Sequence, residues 1–150
     1  MIPNIALENI DLNDFEMPLF SVDVENELSF PKAAKELNTI FDQVDGFVIA
    51  LAEHNGSYSV AFKNIFDWLS RVEAKVWRDK PMILLSTSPG ERGGQTVLEI
   101  ALARFPYMGA NIIGSMSLGL FFDNFKEGDL VNDLKKEELK RIISDFEKAI

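Results

Sequence analysis

Two short stretches hold the residues best suited to chemistry: Ser86–Gly94 reads STSPGERGG, and Ala52–Ser57 reads AEHNGS. Three glycines, a proline and three hydroxyl residues in nine positions cannot form a helix interior or a central strand. Such a loop can instead bring backbone N–H groups close to an oxygen-rich or planar ligand, because small residues leave the approach clear. Arg92 is the one cation inside it, read equally as a solvated tip residue and as an anion contact. In the other stretch Glu53 and His54 invite reading as an acid and base pair. Adjacent residues point apart in an extended loop, however, and no nucleophile stands at a telling distance, so no catalytic side chain is assigned. Either loop alone reads equally as an ordinary strand-to-helix connection and as part of a site. Two adjacent loops of this richness point to a binding site.

The elements that position them follow from hydrophobic spacing. Ile5–Ile10 (IALENI) is a short strand candidate ended by the turn-prone DLND at Asp11–Asp14, and Glu16–Leu28 reads as an irregular surface segment. After Pro31, residues Ala34, Leu37, Ile40, Phe41 and Val44 fall at helical spacing, with Ser29 as an available cap and Gly46 just past the end. Gly46–Leu51 (GFVIAL) is apolar at nearly every position, which suits a parallel strand covered on both faces. Ala61, Phe62, Ile65, Phe66 and Leu69 mark a second helix, and Pro81–Leu85 a second buried strand. Thr96–Phe105 is a third helix; Asn111–Leu118 is a weaker strand, interrupted by Gly114 and two serines. Leu134, Leu139, Ile142, Ile143 and Phe146 define a charged closing helix.

Strand and helix alternate without internal repeat, so the class is α/β with a mostly parallel sheet, in a single domain over residues 1–150. In open sheets of this class ligands lie at the carboxyl ends of the strands, where both loops fall, each with a helix N-terminus behind it. Lys63 and Asp67 are four apart on one helix and read as a local ion pair. Phe62, Phe66, Trp68 and Leu69 are mostly core, with some left to face another subunit, and Phe121–Phe125 (FFDNF) reads as either a sticky edge or a lid.

Composition narrows the partners. With 24 Asp and Glu against 15 Lys and Arg, the net charge is −9, which disfavours nucleic acid and anionic membrane. There is no cysteine and one histidine, His54, so neither a disulfide framework nor a thiolate or poly-His metal site is available. No apolar run reaches the ~18 residues of a membrane span and no signal-peptide pattern opens the chain, so a cytoplasmic setting is expected.

Together, EHNGSYSVAFKNIFDWLSR at Glu53–Arg71 and STSPGERGG at Ser86–Gly94 resemble the NADPH-dependent FMN reductase family of flavodoxin-like proteins. That family carries a P-E-Y-N-x-S loop running into a K-N-A-x-D-W helix, and later an S-x-S-P-G-x-x-G-G loop. Glu53, Asn55, Ser57, Lys63, Asn64, Asp67, Trp68, Ser86, Ser88, Pro89, Gly90, Gly93 and Gly94 match in order. Ile10–Phe20 is similar to the family's segment after its second strand. The resemblance implies a flavodoxin-like three-layer fold binding FMN across the strand ends. Glu53, His54, Asn55 and Gly56 would line one side of the flavin, with His54 in place of the usual tyrosine. Ser88, Gly90 and Gly93 would line the other. It further implies hydride transfer from NADPH or NADH through flavin to a small-molecule acceptor (a quinone, azo compound, metal ion or free flavin), in a homodimer or dimer of dimers.

Two departures from the family pattern matter. Ala52 stands where the family usually has proline. The family's first strand and its G-S-x-R-x-x-S-x-N phosphate loop have no counterpart before Ile5, so the chain reads as N-terminally truncated. Losing three charge-assisted hydrogen bonds of ~1.5–3 kcal/mol each would weaken FMN binding by more than ~10³-fold. A late start site, a fragment whose Ile5–Ile10 strand slips into the vacant place, and exchange with another chain all remain open. The competing readings are a flavin-free remnant acting as an interaction module through its aromatic helix and FFDNF, and a small electron-transfer flavodoxin.

Overall fold

The computed structural model describes residues 5–150. Its strands in chain order are β1 (Phe47–Leu51), β2 (Glu53–His54), β3 (Ser57–Tyr58), β4 (Pro81–Thr87), β5 (Asn111–Leu118), β6 (Phe125–Lys126) and β7 (Asp129–Leu130). Its helices are α1 (Val22–Leu28), α2 (Lys32–Gln43), α3 (Val60–Val72), α4 (Gln95–Arg104), α5 (Phe121–Asn124) and α6 (Asp133–Glu147). Three strands pair in parallel in the order β1-β4-β5, while β2-β3 and β6-β7 form small antiparallel hairpins. The α/β class with a parallel sheet stands as expected.

Alternation along the strands divides the molecule into layers. Phe47, Leu51, Met82 and Leu84 point into the larger core with Leu37 of α2, Ile65, Phe66 and Leu69 of α3, and Val97, Leu98 and Ala101 of α4. Trp77, Phe66 and Phe105 meet at its centre, with Trp77 and Phe105 ring centroids 4.7 Å apart. Burying side chains of this size stabilises the fold by about 1.5–3 kcal/mol each. On the opposite face Ile83 and Met116 pack against Ile142 and Phe146 of α6. No helix among the described residues is long and apolar enough to cross a membrane.

Several expectations need correction. Ile5–Ile10 is not a strand: it has no ladder partner among the described residues, and Leu7 is 75% exposed. A strand exists only as part of a pair, and this segment of modest apolar content forms no ladder with the described strands and stays irregular. Val22–Leu28, expected to be irregular, is α1, its first turn capped by Ser21 Oγ accepting from Val24 N at 3.1 Å, with Asp23 and Glu25 at its positive end. Pro31, rather than Ser29, occupies the N-cap position of α2, and β1 is covered on one face only. β5 is the longest strand of the sheet despite Gly114, because that glycine lies under α6: a Cβ there would sit 2.7 Å from Ile142 Cγ2.

The segment before α1 is tied down by α3. Asn64 Oδ1 accepts from Phe20 N at 2.8 Å and its Nδ2 donates to Pro18 O at 3.1 Å, while Trp68 Nε1 donates to the same carbonyl at 2.8 Å. Arg71 of α3 holds Glu25 of α1 at 2.9 Å. The motif residues Asn64 and Trp68 thus satisfy the backbone of an otherwise unpaired stretch. Lys63 and Asp67 pair at 2.6 Å, as their spacing predicts.

Candidate functional site

Beyond the carboxyl end of β1 the chain turns at once into the β2-β3 hairpin. Its tip is Asn55–Gly56, with φ of 52° and 73°, the pair of left-handed residues that a two-residue hairpin needs. Beyond β4, residues 88–94 descend into α4, and Gly94, the N-cap of that helix, offers it no side-chain cap. The vacancy is filled from the other loop: Glu53 Oε2 accepts from Val97 N at 3.0 Å, so a carboxylate sits at the positive end of α4. A Cβ on Gly56 would lie 4.0 Å from Thr96 Cγ2, which places the hairpin tip beside the first turn of the same helix. The two loops that sequence singled out therefore converge on one point.

The loop backbone is partly used and partly free. Gly93 N donates to Gly90 O at 3.3 Å, and Gly93 O accepts from Ser86 Oγ at 2.9 Å and Ser117 Oγ at 3.0 Å. Gly90 O also accepts from Leu120 N at 3.0 Å, and Ser88 O from Phe121 N at 3.1 Å, so the segment after β5 holds the loop from outside. Among the described residues, the N–H groups of Gly90, Glu91, Arg92 and Gly94 in this loop, and of Asn55 and Gly56 at the hairpin tip, have no acceptor. Backbone donors left free in two facing loops at a helix N-terminus suit the anionic or carbonyl edge of a planar ligand. His54, Asn55 and Gly90 are exposed, Glu53, Gly56 and Ser88 are half-buried, and Gly93 is buried.

Gly90 and Gly93 do different jobs. A Cβ on Gly90 would meet nothing nearer than Ser88 Oγ at 3.9 Å, whereas one on Gly93 would lie 2.5 Å from Gly119 N, at a φ of 59°. Gly93 therefore lets the loop pass close over the end of β5. Gly90 faces open space. Ser117, near the end of β5, and Gly119, just past it, support the loop and were not singled out by sequence reasoning; the signal was the alternation of Ser115, Ser117 and Gly119 with Met116 and Leu118. Arg92 is exposed and donates to Thr96 Oγ1 at 2.9 Å.

Residues 3–123 match the family described as NADPH-dependent FMN reductase. The chain belongs to that family. It is 29% identical over 147 residues to an NADPH:quinone oxidoreductase of Arabidopsis thaliana, covering 95% of this chain and 73% of the relative. A quinone reductase of Escherichia coli K12 is 34% identical over 97 residues, covering 62% of this chain and 52% of that protein. In fold it is similar to FerB, a flavoenzyme NAD(P)H:(acceptor) oxidoreductase from Paracoccus denitrificans, with a TM-score of 0.70 at 20% identity, over 92% of this chain and 78% of FerB. Family membership makes the chain an oxidoreductase of the flavin and NAD(P)H type, with FMN and NAD(P)H as its cofactors. The free N–H groups above fit the polar edge of a flavin ring, a site on which reduction builds negative charge.

Proposed function

We propose that this chain carries electrons from NAD(P)H through FMN to a quinone-type small molecule, and that the hairpin tip and the 88–94 loop hold the flavin ring between them. The observation that carries this reading is the convergence of both loops on the N-terminus of α4, with six backbone N–H groups unpaired among the described residues. FMN, when bound, supplies the acceptance of hydride and its onward delivery in pairs of electrons. The chain's own residues supply orientation. Gly90, Glu91, Arg92 and Gly94 present donors to the ring edge, the exposed imidazole of His54 borders its opposite side, and Glu53 locks the two loops into one geometry through Val97 N. Acceptors such as azo compounds, metal ions and free flavin belong to the same proposal. So does assembly as a homodimer or dimer of dimers.

A second reading, an interaction module without flavin, is favoured by one observation: Phe122 is 70% exposed and Phe125 38%, beside the loop that Phe121 N anchors. Incubation with FMN followed by desalting separates the two. Retained yellow colour, with NADPH consumed on adding a benzoquinone, is the expected result. A folded protein that stays colourless and inert overturns the flavin reading for this chain. Sedimentation velocity at two concentrations tests the dimer, and a single monomer species at both defeats it.

A further inference from the structure

The segment Leu120–Leu134 carries five exposed large apolar side chains: Leu120, Phe122, Phe125, Val131 and Leu134. A single exposed apolar residue is ordinary, but several on one connected piece of structure mark a contact surface. These five are connected. The Phe121 ring contacts both aromatic neighbours, with centroids 5.5 Å from Phe122 and 5.2 Å from Phe125. Phe125 pairs with Leu130 in the β6-β7 hairpin, and Val131 N donates to Asn124 O at 2.8 Å. Asn132, the N-cap of α6, donates through Nδ2 to Asn124 Oδ1 at 3.0 Å, and Asn124 Nδ2 in turn donates to Gly119 O at 2.9 Å. Hydrogen bonds thus hold the surface in one shape.

Its place is beside the 88–94 loop. Leu120 N donates to Gly90 O at 3.0 Å and Phe121 N to Ser88 O at 3.1 Å, so the apolar surface begins one hydrogen bond away from that loop. No side chain rises from Gly90 between the two, and even a Cβ there would meet nothing nearer than Ser88 Oγ at 3.9 Å. Leu120 itself holds a left-handed φ of 49°, a conformation that glycine or asparagine adopts at lower cost, and it presents its side chain to solvent.

Charge selects the occupant. Asp123, Glu127 and Asp133 stand exposed among these residues, and Lys126 is the lone cation from Leu120 to Leu134. A second copy docked about a two-fold axis sets this acidic rim against its own kind, and an anionic membrane surface is repelled by it. An uncharged apolar tail meets neither obstacle. A tail borne by the electron acceptor also accounts for the position, because the head reaches the ring while the tail crosses Gly90 to the apolar surface. Resting on the flavin reading above, we propose that Leu120, Phe122 and Phe125 form a shelf for the uncharged apolar tail of the acceptor, so that the protein selects quinones with an aliphatic substituent over bare ones.

The test uses the full chain incubated with oxidised FMN and desalted, without NADPH, and two benzoquinones that share one head and differ in carrying a decyl or a methyl group. Equilibrium dialysis should give the decyl quinone an affinity at least about tenfold higher, the equivalent of burying about two methylene groups. Amide NMR shifts at Leu120–Phe125 should accompany the decyl quinone alone. In Phe122→Gln, a change at an exposed side chain, that advantage should fall below about threefold with an unchanged melting temperature. A yellow protein that binds the two quinones alike overturns the shelf and leaves the flavin reading standing. A protein that retains no FMN overturns both. A tail advantage that survives Phe122→Gln, or shifts that leave Leu120–Phe125 untouched, place the tail elsewhere and overturn the proposal. Concentration-dependent dimerisation that Phe122→Gln abolishes does so too, by making a second copy the occupant. Cosedimentation with phosphatidylcholine vesicles that the same variant abolishes has the same force, by making a membrane the occupant.

Discussion

Gly90 and Gly93 read alike in the sequence and differ in the folded loop. Gly93→Ala combines a left-handed φ with an approach of 2.5 Å to Gly119 N, so it should cost about 1–3 kcal/mol or more, seen as a lowered midpoint in urea. Gly90→Ala meets no atom nearer than 3.9 Å and should leave stability within about 0.5 kcal/mol. Under the proposed function it should nonetheless weaken FMN binding, measured by flavin fluorescence quenching. Tyr58 supplies a second test at this scale. Its hydroxyl is buried without a partner among the described residues, and burial pushes its pKa up to about 12, opposed by the nearby Arg104 charge. A phenol whose folded pKa exceeds the unfolded value contributes full stability below about pH 10, and that contribution falls away as pH rises toward 12. Tyr58→Phe should therefore lose less stability than the parent between those values, read as a higher alkaline unfolding midpoint. At neutral pH it should be unchanged or stabilised by up to about 1 kcal/mol, since an unsatisfied donor is removed.

Elements meet through a few specific contacts. The β2-β3 hairpin is fastened to α4 by Glu53 Oε2 on Val97 N, a bond that also caps the helix dipole. Glu53→Ala should cost about 0.5–2 kcal/mol, the range of a lost helix cap, and should free the hairpin tip to exchange its amides faster by NMR. Across the sheet, Gly114 and Ile142 are a matched pair: a Cβ on the glycine would lie 2.7 Å from Ile142 Cγ2. Gly114→Ala should destabilise by about 1–3 kcal/mol through overpacking, and Ile142→Ala by about 2–5 through its cavity. The double variant should be clearly less unstable than the sum, a coupling that a double-mutant cycle in denaturant measures directly. This pair also explains why β5 looked weak in sequence: the residue that seemed to interrupt the strand is the one that lets α6 lie on it.

For the molecule as a whole, the asymmetry of the sheet matters most. α6 leaves the outer face of β1 bare, and the edge beside it has no ladder partner among the described residues. Open apolar edges promote association, and charge on them opposes it. Val48→Lys should keep stability within about 0.5 kcal/mol, because the side chain is half in solvent, while reducing light scattering on prolonged heating. Greater scattering than the parent would show that the edge is not the site of association.

Apolar residues at helical spacing marked α2, α3 and α6, and continuous apolar runs marked β1 and β4, since each of these elements buries apolar side chains along its length. Composition of the two loops likewise picked out the pair that converges on the N-terminus of α4, because small residues and hydroxyls let loops approach each other closely. What spacing could not reveal was everything that depends on a partner. Ile5–Ile10 forms no ladder among the described residues, whereas the short run Val22–Leu28 became helical on a local Ser21 cap and its clasp to Arg71. The assignment of Glu53 to a helix cap, of Gly93 to packing and of Gly90 to open space came only with tertiary structure, because a residue's role in a loop is set by what crosses near it, and sequence distance does not record that.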